Sequence, residues 1–339
     1  MKLMVFDVGG TEIKYSVMDD TLVRRDGGSV PTPMGSRKDF FDVLCDIFEP
    51  HRGEVEGIAM CLPGFIDSEN GRCLGGGALR YNHGQEVAGP LSERTGVPVH
   101  IANDGKCAAL AELRDGALKG CQNASVYIIG TGVGGGLIIG GEVLNGSHFT
   151  AGEFSFMRVG NTDWDDPGTT SGMVCSTTGL LDLNRRFTGF STDPLLDGRQ
   201  FFEKVNAGDR MSMEILRRFC RQVAMQIANL TILLDLEKVA IGGGISRQPI
   251  LISTIRECLD GIYSNPGSYF DPALPKTEIV PCRYGSKRRR WERIIITRWQ
   301  SKNKNLAQGK RLLREVILLC LRNGMPIRGF RPSPPSLWP

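Results

Sequence analysis

The chain has 339 residues, 41% of them hydrophobic and 23% charged, the composition of a folded, water-soluble protein with room for about two domains and a cleft between them. No stretch approaches the roughly 20 apolar residues of a membrane helix, "MKLMVF" is too short for a signal peptide, and ten cysteines without CxxC spacing suit reduced thiols better than disulfides or a zinc site; the expected compartment is the cytoplasm, with no membrane partner. The net charge of +4 conceals an asymmetry, since residues 283–339 carry 15 Lys/Arg against 2 Asp/Glu and the preceding 282 residues carry 26 against 35.

Taken in order, residues 2–25 alternate apolar and polar side chains around a glycine turn and an Asp-Asp turn, which predicts strand, turn, strand, turn, strand. A helix is expected across "SRKDFFDVLCDIFEP" (36–50), ended by its proline. Then come a strand in "VEGIAMCLPGFID" (55–67), a glycine-rich loop "GGGALRYNHG" (75–84), a helix in "VAGPLSERTG" (87–96), a strand in "VPVHIAND" (97–104) and a helix in "GKCAALAELRDGALKG" (105–120). The opening pattern returns in "ASVYIIGTGVGGGLIIGGEVLNG" (124–146), followed by helices across 178–187, 198–207 and 209–235, a strand in "KVAIGGGIS" (238–246), a helix across 248–260 and a strand in "TEIVPCRY" (277–284). A repeated glycine-turned hairpin with helices between strands predicts two similar α/β lobes facing one another, residues 1–118 and 119–285.

The glycines sit where chemistry would use them. In "DVGGT", Gly9 and Gly10 let backbone N–H groups approach phosphate oxygens, Thr11 adds a hydroxyl, and Asp7 can hold a water of hydrated Mg²⁺; the plain alternative is a hairpin turn. "GTGVGGG" contains G-x-G-x-x-G at Gly130, Gly132 and Gly135, the dinucleotide fingerprint, which requires a helix next. Its continuation "LIIGGEVL" alternates as a strand, so a second phosphate-gripping hairpin is the better reading. Asn103 and Asp104 end an apolar strand where a helix begins, fitting either a helix cap or a catalytic position. Glu153, in "SHFTAGEFSFM", is either a solvated loop carboxylate or an acceptor for hydroxyl groups. Gly242, Gly243 and Gly244 lie between strand and helix, as a simple connection or as backbone on which a flat adenine can rest.

Six motifs, "DVGGTEIK" (7–14), "LPGFID" (62–67), "AND" (102–104), "GTGVGGG" (130–136), "AGEFS" (151–155) and "IGGGIS" (241–246), stand in the order found in the ROK family of sugar kinases and repressors. The chain resembles that family over about residues 2–282. The resemblance implies an α/β fold of two ribonuclease-H-like lobes of the actin-like ATPase type with an interlobe cleft. It further implies ATP-dependent phosphorylation of a sugar hydroxyl, the 6-hydroxyl of a hexose or glucoside, with ATP and Mg²⁺ as cofactors and a homodimer as the assembly. Asp104 would be the base. Asn103, Glu153, Gly64, Gly76, Asn82 and His83 would bind the sugar. Asp7, Gly9, Gly10, Thr11, Lys14, Gly130, Thr131, Gly132, Gly134, Gly242, Gly243 and Gly244 would bind the nucleotide, with Asp7 reaching Mg²⁺ through water. A carboxylate with ordinary pKa about 3.9 is a weak base, but phosphoryl transfer depends mostly on positioning and charge neutralisation. Repressors of the family carry an N-terminal helix-turn-helix, for which a phosphate turn at residue 7 leaves no room.

The chain departs from the family pattern in two places. Many members read "AGEIGH" where this chain reads "AGEFSF", so Ser155 and Phe156 replace Gly and His. That histidine serves a zinc site with a following cysteine cluster, of which only Cys175 has a counterpart here, and one thiol cannot supply four ligands. No structural zinc is expected, and the chain is similar to the zinc-free branch that includes β-glucoside kinases. After "VPCRYGS", members continue with an apolar helix, whereas residues 286–339 are basic. This tail reads as a shifted frame in preference to a disordered or nucleic-acid-binding segment, because clustered arginines without a motif give only nonspecific phosphate attraction. A damaged C-terminus keeps a second reading open, a catalytically impaired sugar-binding protein or a sugar-responsive regulator.

Overall fold

The structure is a computed structural model describing residues 2–19, 24–160, 166–189, 196–265, 271 and 273–284, all within one compact unit of the chain, residues 1–296. The tail expectation for residues 286–339 lies outside the described residues. An antiparallel meander opens the fold: β1 (Lys2–Val8), β2 (Glu12–Asp19) and β3 (Arg24–Pro31). The third strand runs past the expected end at residue 25 to Pro31. Its sequence has little apolar alternation, and pairing with β2, from Glu12 opposite Pro31 to Met18 opposite Arg24, keeps it extended.

Ser36 caps α1 (Arg37–Phe48) by accepting from the Asp39 N–H, and the helix buries Phe40, Phe41, Leu44 and Phe48. Next is β4 (Ile58–Leu62), every residue of it buried. The single strand expected over 55–67 is broken at Pro63 and Gly64, because Gly64 has φ 94° and a side chain there would meet the Gly75 carbonyl oxygen at 2.0 Å. The chain then forms a small antiparallel sheet that the sequence did not announce, from β5 (Phe65–Asp67), β6 (Arg72–Gly75) and β7 (Gln85–Glu86). After α2 (Ala88–Thr95), which stops at Gly96 with φ 77°, come β8 (Val99–Asn103) and α3 (Asp104–Asp115). The first main sheet has the order β3-β2-β1-β4-β8, with β4 and β8 parallel to β1.

The second half repeats this plan. A meander of β9 (Ala124–Ile129), β10 (Val133–Ile139) and β11 (Glu142–Val143) is followed by α4 (Ser171–Val174), α5 (Thr177–Thr188), α6 (Gly198–Asn206) and α7 (Arg210–Leu234). Then β12 (Lys238–Gly242), α8 (Pro249–Ser264) and β13 (Glu278–Pro281) complete the order β11-β10-β9-β12-β13, with β12 parallel to both neighbours. Each sheet is therefore a meander extended by two parallel strands, the ribonuclease-H-like arrangement expected. α7 buries Ile215, Leu216, Phe219, Val223 and Ile227 in the larger core, and a separate core gathers Phe6, Ile13, Phe40 and Met60. Helix α3, placed by sequence with residues 1–118, packs on the second sheet, its Ala108, Ala109 and Leu113 sharing a cluster with Val126, Ile138 and Ala240. Among the described residues, no helix is long and apolar enough to cross a membrane.

Candidate active site

A cleft of about 1090 Å³ is lined by residues of both halves, including Gly10 and Thr11 from the first hairpin turn, Gly130, Thr131, Gly132 and Gly134 from the second, and Asp104. Gly64, Gly76, His83, Asn103 and Glu153 line it too. Asp104 reaches this position because α3 starts against the second sheet. A side chain on Gly105 would meet the Gly135 carbonyl at 2.3 Å, and one on Gly136 would meet the Ala109 side chain at 2.8 Å, so helix and strand approach backbone to backbone.

Asn103 is the N-cap of α3, its side-chain oxygen accepting from the Lys106 N–H at 2.9 Å. Its amide donates to the Gly64 carbonyl at 2.9 Å and to the Asp104 carboxylate at 3.2 Å. Both amide hydrogens are thus occupied, which leaves only an oxygen lone pair for a ligand. Asp104 takes the first helical position, where Oδ1 also accepts from the Gly105 N–H at 2.7 Å. The carboxylate is open to water in the cleft, yet protein surrounds it closely, and desolvation pushes its pKa up to about 6 against the opposing Gly105 hydrogen bond; the charge of Asp7 adds to the rise. Glu153 is half-buried, and burial, then the charge of Asp104, raises its pKa to about 7 while Lys106 pulls it down.

Lys106 was not singled out by sequence. It is 2% exposed and donates to the carbonyls of Phe149 at 2.7 Å and Asn145 at 3.3 Å, securing the loop that leads to Glu153. A lysine two residues after a candidate base resembles any solvated helix lysine in sequence, so only packing exposes its role.

Other residues stand away from the cleft wall. Asp7 accepts from the Cys61 thiol at 3.3 Å and lies 3.7 Å from the Lys14 ammonium, which also approaches Glu12 at 3.8 Å. Asp7 and Lys14 are register partners on β1 and β2, and neither they nor Gly9 line the cleft that Gly10 and Thr11 line. Asn82, expected in the sugar pocket, is fully buried, and neither side-chain amide atom has a hydrogen-bond partner in the structure. It is the buried residue of the one-turn helix Arg80–Asn82, and its neighbours Arg80 and His83 line the cleft in its place. Gly242, Gly243 and Gly244 do not line the cleft either. Gly243, with φ 99°, packs against the Ile129 carbonyl, where a side chain would lie at 2.1 Å.

The second turn leaves its backbone uncovered. A side chain on Gly132 would meet nothing within 4 Å, and one on Gly134 would first meet Ile128 at 3.9 Å. Bare backbone therefore faces open space, as an anion cradle requires. Mg²⁺ binds through one or two carboxylates, waters and substrate phosphates; Asp7, the carboxylate expected to reach it through water, is not among the residues lining the cleft.

The ROK family model matches residues 4–271. The chain belongs to the ROK family. A β-glucoside kinase of Klebsiella pneumoniae is 32% identical over 263 residues, covering 76% of this chain and 87% of that protein. An N-acetyl-D-glucosamine kinase of Vibrio atlanticus is 33% identical over 256 residues, covering 71% and 83%. Among solved structures, a ROK family protein from Streptococcus pneumoniae in complex with sucrose superposes with TM-score 0.76 at 26% identity, over 90% of this chain and 100% of that one. A ROK glucokinase from Streptomyces griseus in complex with glucose and AMPPNP has the same fold, with TM-score 0.70 at 22% identity over 86% and 97%. The ROK fold accounts for the doubled sheet order and for the cleft between two glycine turns.

Proposed function

We propose that this ROK protein is an ATP-dependent sugar kinase that phosphorylates the 6-hydroxyl of a hexose or glucoside, with Asp104 as the base. The observation that carries the reading is the position of Asp104, at a helix N-terminus in a cleft that it lines together with the bare Gly130–Gly134 turn, Asn103 and Glu153. The names of the β-glucoside and N-acetylglucosamine kinases above support the substrate class.

The turns at Gly9–Thr11 and Gly130–Gly134 would hold Mg·ATP, with Asp7 assigned to the metal through water, and the nucleotide would supply the phosphoryl group while the metal neutralises charge. Glu153 accepts hydrogen bonds from sugar hydroxyls, and Asn103 adds its free lone pair while holding Asp104 and Gly64 in register. Deprotonated Asp104 takes the proton of the attacking hydroxyl and aims its oxygen. Movement of the lobes toward each other excludes water from the cleft and limits hydrolysis. Replacing Asp104 with Asn should leave sugar binding intact and lower kcat by about 10²–10⁴-fold. Steady-state turnover set beside calorimetric sugar binding tests this, and near-normal turnover in the variant removes Asp104 from the role.

A further inference from the structure

A pair of aromatic rings borders the sugar end of the cleft, and phosphorylation of a free hexose gives it no work. Phe156 is 66% exposed, its ring 5.6 Å from that of Phe65 and tilted by 56°. Both rings line the cleft. They come from different segments, each carrying a polar group of the sugar end. Phe65 directly follows Gly64, whose carbonyl accepts from Asn103, and Phe156 closes the one-turn helix Phe154–Phe156 that starts just after Glu153. Ser155, beside Phe156, adds no polarity, because its hydroxyl is committed to the Val133 carbonyl. The cleft lining is thus polar at Asp104, Asn103, Glu153, Arg80 and His83, and aromatic at Phe65 and Phe156.

A group attached to a sugar held by Asn103 and Glu153 has the two rings within the same cleft to meet. Covering them removes apolar surface from water and allows offset or edge contacts with a second ring. Resting on the reading of the cleft as a sugar site, we infer that Phe65 and Phe156 form an aromatic subsite for the aglycone of a glycoside. The subsite favours glycosides with an apolar or ring-shaped aglycone over the free hexose. It also gives a physical reason for phenylalanine at the position where many ROK members carry histidine: the side chain here is shaped to contact an apolar group.

Equilibrium binding to the full-length protein tests the inference, using phenyl β-glucoside, methyl β-glucoside and AMPPNP as probes against wild type, Phe156→Ala and Phe65→Ala. Phe156 is largely exposed, so its removal leaves the fold intact, which circular dichroism verifies. Wild type should bind the phenyl glycoside at least about tenfold more tightly than the methyl glycoside, as expected for a small apolar contact. Phe156→Ala should erase that gap while methyl glucoside and AMPPNP affinities stay unchanged. No gap in wild type, or a gap surviving in both variants, overturns the subsite. Loss of AMPPNP affinity instead assigns the rings to the nucleotide and also overturns it. A phenyl glucoside that binds with the expected gap but is never phosphorylated with ATP refutes the kinase reading and leaves the subsite standing.

Discussion

Asp104 and Glu153 place two hard-to-ionise carboxyls in one cleft, and their chemistry follows from which influence dominates. At Asp104 the helix N-terminus and the Gly105 N–H favour the anion, but desolvation outweighs them, giving a pKa of about 6 in place of 3.8. A base of this kind works only when unprotonated. The kcat/KM profile should therefore fall as pH drops through about 6, and an acid limb near pH 4 would show that Asp104 is not the group titrating. Glu153 moves from 4.5 to about 7 for the same first reason. Both folded pKa values are raised, so between about pH 4 and pH 7 the folded state holds more protons than the unfolded chain, and stability declines as pH rises across that window. Glu153→Gln removes part of this decline. Thermal denaturation should show the variant above wild type at pH 8 and level with it near pH 4. Pattern and position marked Asp104 and Glu153 as candidates; their shifted pKa values depend on surrounding atoms that come from distant parts of the chain.

At the scale of elements, the run "GTGVGGG" looks like one motif and performs two tasks. Gly132 and Gly134 face open space in the cleft, whereas a side chain on Gly135 would meet the Val126 carbonyl at 2.3 Å and the Phe154 ring at 2.5 Å, and Gly136 lies against α3. The division follows the neighbours each glycine meets, since Gly135 and Gly136 lie where Val126, Phe154 and α3 close in, and Gly132 and Gly134 lie before that contact begins. The contact between Gly105 and Gly135 sets where α3 begins and so where Asp104 points. Helix propensity alone makes Gly105→Ala stabilising by about 0.8–1.0 kcal/mol. Overpacking against backbone costs about 1–3 kcal/mol, and packing should win. The variant should unfold at lower urea concentration and lose about 10²-fold in kcat, as a misplacement of about 1 Å can cause. A gain in stability with normal turnover would show that α3 has room to move. The break at Pro63 and Gly64 was visible as residues in the sequence, but it became a break only through the close pass of the Gly75 carbonyl.

For the molecule as a whole, α3 ties the halves together: it follows directly from β8 of the first sheet and packs on the second. Its Glu112 is fully buried and accepts from the backbone N–H groups of Ala117 at 2.7 Å, Arg283 at 3.1 Å and Tyr284 at 2.9 Å. Tyr284 adds a hydroxyl hydrogen bond to the Asp115 carboxylate at 2.6 Å. The chain leaving β13 is thereby fastened to the helix that begins with the candidate base. Glu112→Leu keeps the volume and strands three N–H donors, so it should destabilise the protein by about 3–5 kcal/mol in urea unfolding. An unchanged midpoint would mean that this end of the chain contributes nothing to the fold.

The amino-acid sequence by itself determined the doubled α/β plan, the two glycine turns and the carboxylates at 104 and 153, because strand alternation, glycine placement and helix-start chemistry are local properties. Tertiary structure alone decided that α3 belongs to the second sheet, that Asn82 turns inward, that Lys106 and Glu112 are buried, and that Phe65 meets Phe156 at the cleft. These depend on how separate segments pack against one another, and residue spacing carries no record of that packing.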